Sequence, residues 1–456
     1  MRSLAATMLL GLFCSLVALR AGFAHPQEAA RTGLEKIEHI VIFYLENRSF
    51  DNLYGLFPGA DGLNSEGAII PQVDEQDTPY KVLPPVMNTM LKPPRVDPRF
   101  PPDLPNRPFR VEQYVPLDQP TGDLIHRFYQ EQMQINGGRM NKFVLVSDAK
   151  ALSMGYYDGS PLPLWRYAKD YVLADHFFHA AFGGSFLNHF WLICACSPRY
   201  ESAPSSIVAV LDASGKMVKD GSITPDGYAV NTIQSVFSPH DPRITDKSKL
   251  LPPQHGPTIG DRLSDKGITW AWYSGGWDNA IAGHPDKLFQ FHHQALAYFA
   301  QFGDGTAARA EHLKDEKDFV NAIDAGSLPQ VVFYKPIGED NEHPGYTDIL
   351  TGDRHAANLI ARIQASPVWQ NTVIIVTYDE NGGTWDHVAP PPADRWGPGT
   401  RIPTIIISPL AKHGFIDHRV YDTTSILKLI ESRFKLEPLG TRDAQAGDLT
   451  NALALQ

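Results

Sequence analysis

Apolar residues fall along this chain in short continuous runs separated by stretches of helical spacing. Ile40 to Leu45 is a run rich in β-formers, the pattern of a strand buried on both faces, and it stops at Glu46 and Asn47. Residues 121–138 predict a helix that starts at Thr121-Gly122-Asp123 and ends at Gly137-Gly138. Residues 162–181 read as a helix leading into a strand, and 182–196 as a glycine turn feeding a helix that starts near Ser185. Further on, 267–276 predicts a strand and 288–302 a helix. Residues 316–337 and 353–383 each predict a helix and then a strand, 401–414 a strand, and 423–436 a helix. Strands alternating with helices argue for an α/β fold with a mostly parallel central sheet. Prolines crowd residues 83–108, where no regular helix or central strand survives. That stretch reads as an ordered surface excursion, either a wall over a site or a plain covering loop.

Two of the clearest strands finish in acid-plus-amide clusters, Glu46-Asn47 and Asp379-Glu380-Asn381. In open α/β sheets ligands bind beyond the carboxyl ends of the strands. Burying several carboxylates together costs energy unless a cation compensates. One divalent metal ion is the economical account, with Ca²⁺ or Mg²⁺ favoured over Zn²⁺ by the all-oxygen ligands. Either cluster alone reads equally well as a polar strand exit. In a regular strand Asp379 and Glu380 would face opposite sides of the sheet. Both reach one ion only if the strand has ended at Tyr378, a break that Gly382 and Gly383 permit.

A third element is GGSFLNH at 183–189. The glycines allow a tight turn and close approach to a ligand. A serine at a helix start sits among unpaired N–H groups at the positive end of the dipole, which suits phosphate and favours the alkoxide beside a metal. The plain alternative is that Ser185 only caps the helix. Of 17 histidines, His126, His292, His293, His343 and His387 fall in suggestive places. Imidazoles can bond phosphoryl oxygens and protonate a leaving group. On a helix His292 and His293 would point about 100° apart, so both reach one ligand only at a helix end or bend.

Four stretches in this order, IEHIVIFYLENRSFDNLYG (37–55), GGSFLNH, EHPGYTDILTGD (342–353) and VIIVTYDENGGTWDHVAPP (373–391), resemble the bacterial phosphoesterase family. That family joins the secreted acid phosphatases to the non-toxin phospholipases C. The resemblance implies an alkaline-phosphatase-like α/β core and a covalent phosphoenzyme. Matched by position, Ser185 is the nucleophile and also a metal ligand. Glu46, Asn47, Asp379 and Glu380 hold the metal beside it. His126, His292, His293 and His343, with Gly184, surround the phosphoryl group. Phospholipases of this family typically carry threonine in a GGT or GPT context and extra C-terminal domains. GGSFLNH, and an end about 20 residues after the last helix, look like the acid phosphatase branch. Sulfatases share the implied fold but need Cys-x-Pro-x-Arg; CSPRY at 196–200 puts its arginine one position early. Asn47 also fits a glycosylation sequon, NRS, but a metal cluster is the better account.

Composition adds limits. The chain has 456 residues, 43% apolar and 20% charged, as expected of a globular protein. Its net charge is −11, and no Lys/Arg run stands out, so nucleic-acid scaffold binding is not expected. Residues 1–24, with Arg2, an apolar stretch from Leu4 to Leu19, and Gly22 and Ala24, read as a secretory signal. A single domain over 25–456 would then be periplasmic or secreted, two units more negative after losing Arg2 and Arg20. Cys194 and Cys196 are one residue apart, a spacing at which a disulfide would be strained, so buried thiols are expected. The reading is an exported, metal-dependent acid phosphatase. It hydrolyses small-molecule phosphomonoesters through a phosphoserine, and an acid optimum is expected if several histidines are cationic below about pH 6.5. The alternatives are a phospholipase C acting on phospholipid headgroups and a secreted binding protein with a structural metal.

Overall fold

The computed structural model describes residues 33–455, so the segment read as an export signal lies outside the described residues. Eight strands form one sheet: β1 (His39–Leu45), β2 (Val172–Ala174), β3 (Trp270–Ser274), β4 (Leu313–Asp315), β5 (Val331–Lys335), β6 (Thr372–Tyr378), β7 (Thr404–Ile407) and β8 (Phe415–Asp417). Their order is β4-β3-β5-β1-β6-β7-β2-β8. All run the same way except β7, which is antiparallel to β6 and β2. The α/β class with a mostly parallel sheet is therefore as expected. Every residue of β6 and six of the seven in β1 are buried. Because successive side chains alternate between faces, both faces are covered at the centre.

Seven helices matter below: α1 (Phe50–Tyr54), α2 (Phe128–Ile135), α3 (Pro163–Asp170), α4 (Ser185–Cys194), α5 (Glu316–Asp324), α6 (Ile349–Ala365) and α7 (Thr424–Phe434). Helices α5 and α6 precede β5 and β6, as the alternating pattern required. Asp348 opens α6 by accepting from the Thr351 N–H at 2.8 Å.

Three expectations need correction. The helix at 121–138 is confined to Phe128–Ile135. Its lead-in is held extended by tertiary contacts: the Ile125 N–H donates to Asp148 (2.9 Å), and a Cβ on Gly122 would meet Thr89 Oγ1 at 2.1 Å. Residues 288–302 form three separate 3₁₀ turns, not one helix. Pairing with the extended chain around Gln254 interrupts them, with Gln254 N–H to Tyr298 O at 2.8 Å and Ala300 N–H to Gln254 O at 3.0 Å. Cys194 and Cys196 are bridged, not free thiols. Helix α4 ends at Cys194 and Ala195 adopts φ +46°, which turns the chain so that the two Cα atoms lie 5.1 Å apart, a span a disulfide bridges. With Cys196 bridged, the sulfatase reading is closed as well.

Candidate active site

The site is built where β5, β1 and β6 end side by side. Leu45 pairs with Tyr378 in register, and the Asp379 N–H donates to Leu45 O at 3.0 Å. Glu46 and Asp379 therefore leave neighbouring strands at the same level. Strand β6 stops at Tyr378, and Gly382 and Gly383 take φ of +60° and +72°. A Cβ on Gly382 would meet Asn47 O at 2.6 Å, so this close approach of the two strand exits requires glycine. Glu46, Asn47, Asp379 and Glu380 are all fully buried or nearly so.

Ser185 is the first residue of α4, after Gly184 in extended conformation, and it is not the cap. Gly183 takes φ +86°, and a Cβ there would sit 2.4 Å from Phe128 N. Asn188, one turn into the helix, clamps this entry: its side chain binds Ala181 O (3.0 Å) and Gly183 O (3.2 Å), and accepts from the Ala181 N–H (2.9 Å). His189 bonds Ser185 O at 2.7 Å. The polar letters of GGSFLNH thus shape the turn that presents the serine. Ser185 Oγ donates to Glu380 Oε1 at 3.4 Å, which joins the helix start to the end of β6.

A cavity of about 280 Å³ opens over this point. Its walls include Glu46, Gly184, Ser185 and all four histidines matched by resemblance, His126, His292, His293 and His343. Asn47, Asp379 and Glu380 do not form part of the wall. His292 and His293 share one 3₁₀ turn with ring centroids 4.6 Å apart, the bend that adjacent histidines needed. His126 Nε2 lies 3.7 Å from Glu380 Oε1. The His343 ring stacks on Tyr346 at 3.8 Å. His387 lies elsewhere. It bonds Asp51 (2.6 Å) in a buried ion network with Asp386 and Arg401 that ties α1 to the segment after β6.

Lys335, the last residue of β5, was not anticipated. It is fully buried, with Nζ 2.8 Å from Glu46 Oε1 and 3.2 Å from Asp379 Oδ2. Its sequence signal is the same as that of Glu46: a charge directly at the carboxyl end of an apolar strand. Asn341 was also missed; its side chain donates to Glu46 Oε2 at 2.8 Å.

The charges of the site are unevenly balanced. Burial raises Glu46, but His293 and Lys335 overcome it and hold the carboxyl well below its ordinary value. His293 is itself pushed down to about 4, chiefly by burial. Burial pushes Asp379 well up, and the pull of Lys335 only partly offsets it. Burial likewise pushes Glu380 up to about 7, against the pull of His126. Asp379 Oδ1 and both side-chain polar atoms of Asn47 are buried without a hydrogen-bond partner. These orphaned oxygens, beside two under-compensated carboxylates, fit a hard divalent cation. Asn47, Asp379 and Glu380, with Ser185, are the residues that could hold it; Glu46 is the acid the chain already balances.

The histidines divide. Burial lowers His292, His293 and His343. His126 is also penalised by burial, but Glu380 and Asp123 raise it to about 9. A set of several histidines turning cationic near pH 6.5 is therefore not what this cavity holds, and only His126 is cationic at neutral pH.

A model of the phosphoesterase family matches residues 37–437. The chain belongs to the phosphoesterase family. Non-hemolytic phospholipase C of Pseudomonas aeruginosa is 25% identical, covering 95% of this chain and 59% of that protein. Phospholipase C A of Mycobacterium tuberculosis is 24% identical, covering 92% and 77%. The chain thus spans about three-fifths of the length of the Pseudomonas relative. Among solved structures, a protein of the alkaline phosphatase superfamily from Vibrio parahaemolyticus matches 73% of each chain, with 12% identity and a TM-score of 0.36.

In the metal-free protein Glu380 keeps its proton below about pH 7, and an entering cation must displace it. Apparent affinity for Mg²⁺ or Ca²⁺ should fall as pH drops through 7, by up to about tenfold per unit for each proton displaced. Calorimetric titration across that range checks this; a flat profile contradicts it. Lys335→Met should destabilise the fold by about 3 kcal/mol or more, because two buried carboxylates lose their partner. Urea unfolding reads the loss, and a change below about 1 kcal/mol would show that other groups balance them.

Proposed function

We propose that this phosphoesterase family member hydrolyses phosphate esters by nucleophilic attack of Ser185. The observation that carries the reading is the position of Ser185: first residue of a helix, hydrogen-bonded to a buried carboxylate, in the wall of a cavity with four histidines. A phosphoryl group in that cavity meets the N-terminal N–H groups of α4 and the cationic ring of His126. Glu380 Oε1 is the acceptor already facing the Ser185 hydroxyl. Attack forms the Ser185 Oγ–phosphorus bond and breaks the bond from phosphorus to the leaving oxygen, which takes a proton from a cavity imidazole. Water then releases phosphate from the phosphoseryl group. A divalent ion held by Asn47, Asp379, Glu380 and Ser185 would act as a Lewis acid and lower the pKa of the serine hydroxyl.

The leaving group distinguishes two readings. Serine at the nucleophile position favours an acid phosphatase acting on monoesters. The two named relatives are phospholipases C, which favours a lipid phosphodiester with equal weight. An export signal at residues 1–24 would place either activity outside the cytoplasm.

Hydrolysis of a chromogenic phosphomonoester and of phosphatidylcholine, each with and without chelator, tests the proposal. Turnover of at least one is expected, falling to background on chelation and restored by Mg²⁺ or Ca²⁺. Ser185→Ala should lower kcat by on the order of a thousandfold or more while leaving the fold intact. Metal-dependent stability without turnover of any phosphate ester would favour the binding-protein alternative.

A further inference from the structure

The proline-rich excursion carries a short hairpin whose loop residue Lys92 lines the cavity that contains Ser185. Met87–Asn88 pairs antiparallel with Arg95–Val96, and residues 89–94 form the connecting loop. Its base is anchored. Leu83, Val86 and Thr89 are buried, the Met87 N–H donates to Ala149 O (3.1 Å), and Thr89 Oγ1 donates to Asp123 O (2.6 Å). The tip points its apolar side chains outward instead. Nine large apolar side chains are exposed among the described residues, and three of them fall on this short hairpin: Met90 (51%), Leu91 (46%) and Val96 (55%). Single exposed apolar residues are ordinary, but a cluster on one anchored hairpin is not.

Charge gives the second argument. Residues 81–107 hold five basic side chains, Lys81, Lys92, Arg95, Arg99 and Arg107, against Asp97 and Asp103, in a chain with a net charge of −11. Asp97 is buried and bonded by Arg99 at 2.6 Å. Lys92, next to Met90 and Leu91, is itself part of the cavity wall that contains Ser185. An apolar tip with basic flanks is the chemistry of a segment that enters the headgroup region of an anionic bilayer.

We propose that the Met90–Leu91 tip docks the cavity mouth on a lipid surface, with the two apolar side chains at the acyl boundary and the flanking basic residues facing anionic headgroups. Docking in this way hands a lipid phosphoester to Ser185 without the lipid having to leave the membrane. The inference deepens the reading of Ser185 as a phosphoesterase and rests on it for the consequence, though not for the binding itself.

Sedimentation with vesicles of phosphatidylcholine and phosphatidylglycerol tests the docking directly. The full chain should bind, less tightly as salt rises. The double variant Met90→Ser/Leu91→Ser should bind on the order of tenfold more weakly or worse. Its kcat/KM on a soluble chromogenic phosphomonoester should stay at the parental value, which also reports intact folding. Met90→Leu/Leu91→Met, which keeps the apolar character, should retain vesicle binding. Failure of the parent chain to sediment, or equal sedimentation of the serine variant, overturns the proposal. Absence of hydrolysis of both the soluble monoester and phosphatidylcholine by the parent chain would instead count against the catalytic reading.

Discussion

Three carboxylates and one ammonium are gathered, out of water, at the ends of three adjacent strands. Glu46, Asp379 and Glu380 are buried, and Lys335 reaches the first two from β5. Buried carboxylates repel one another and resist ionisation unless positive charge is supplied. His293 and Lys335 hold the Glu46 carboxyl low, while burial pushes Asp379 and Glu380 up. Asp379 and Glu380 are therefore left under-compensated, a setting compatible with a divalent cation. The gathering of these charges comes from the sheet itself, since the registers of β5, β1 and β6 bring the side chains together.

The same constraint orders the rest of the cavity. The helix carrying Ser185 is tied to the cluster through Glu380, and its entry turn is locked by Asn188. His189 stacks on His293 at 5.2 Å, and His293 contacts Glu46, so the histidine turn is fastened to the carboxylates from the opposite side. Burial keeps most of these rings neutral, which leaves them as polar partners for a phosphoryl group. His126 alone is held cationic, by the carboxylates of Glu380 and Asp123. Around the rim, Lys92 brings the proline-rich hairpin into the cavity wall. That joins the excursion to the site instead of leaving it a covering loop.

Much of this was legible in the sequence because strand exits carry local signals. The apolar runs of β1 and β6 and the acids behind them are visible as a change of character over two or three residues. So is the glycine-serine start of α4. What was hidden depends on partners far apart in the chain. Lys335 looks like any charged strand end until β5 is seen beside β1. The helix expected over 121–138 gave way because Asp148 and Thr89 hold its first turns extended. The histidine segment at 288–302 broke into turns because the chain around Gln254 pairs with it. The disulfide was discounted on spacing, which carries no information about the left-handed turn at Ala195. His387, noted among the suggestively placed histidines but given no site role, serves a buried ion network with Arg401.

The central claim is that Ser185 forms a bond to phosphorus. The most direct measurement is acid quenching of the metal-loaded protein during turnover of a phosphate-labelled ester, followed by peptide mapping. The account predicts label on the peptide containing Ser185, and on that residue within it. Label on another side chain, or turnover with no covalent label under conditions where dephosphorylation is slowed, would contradict it.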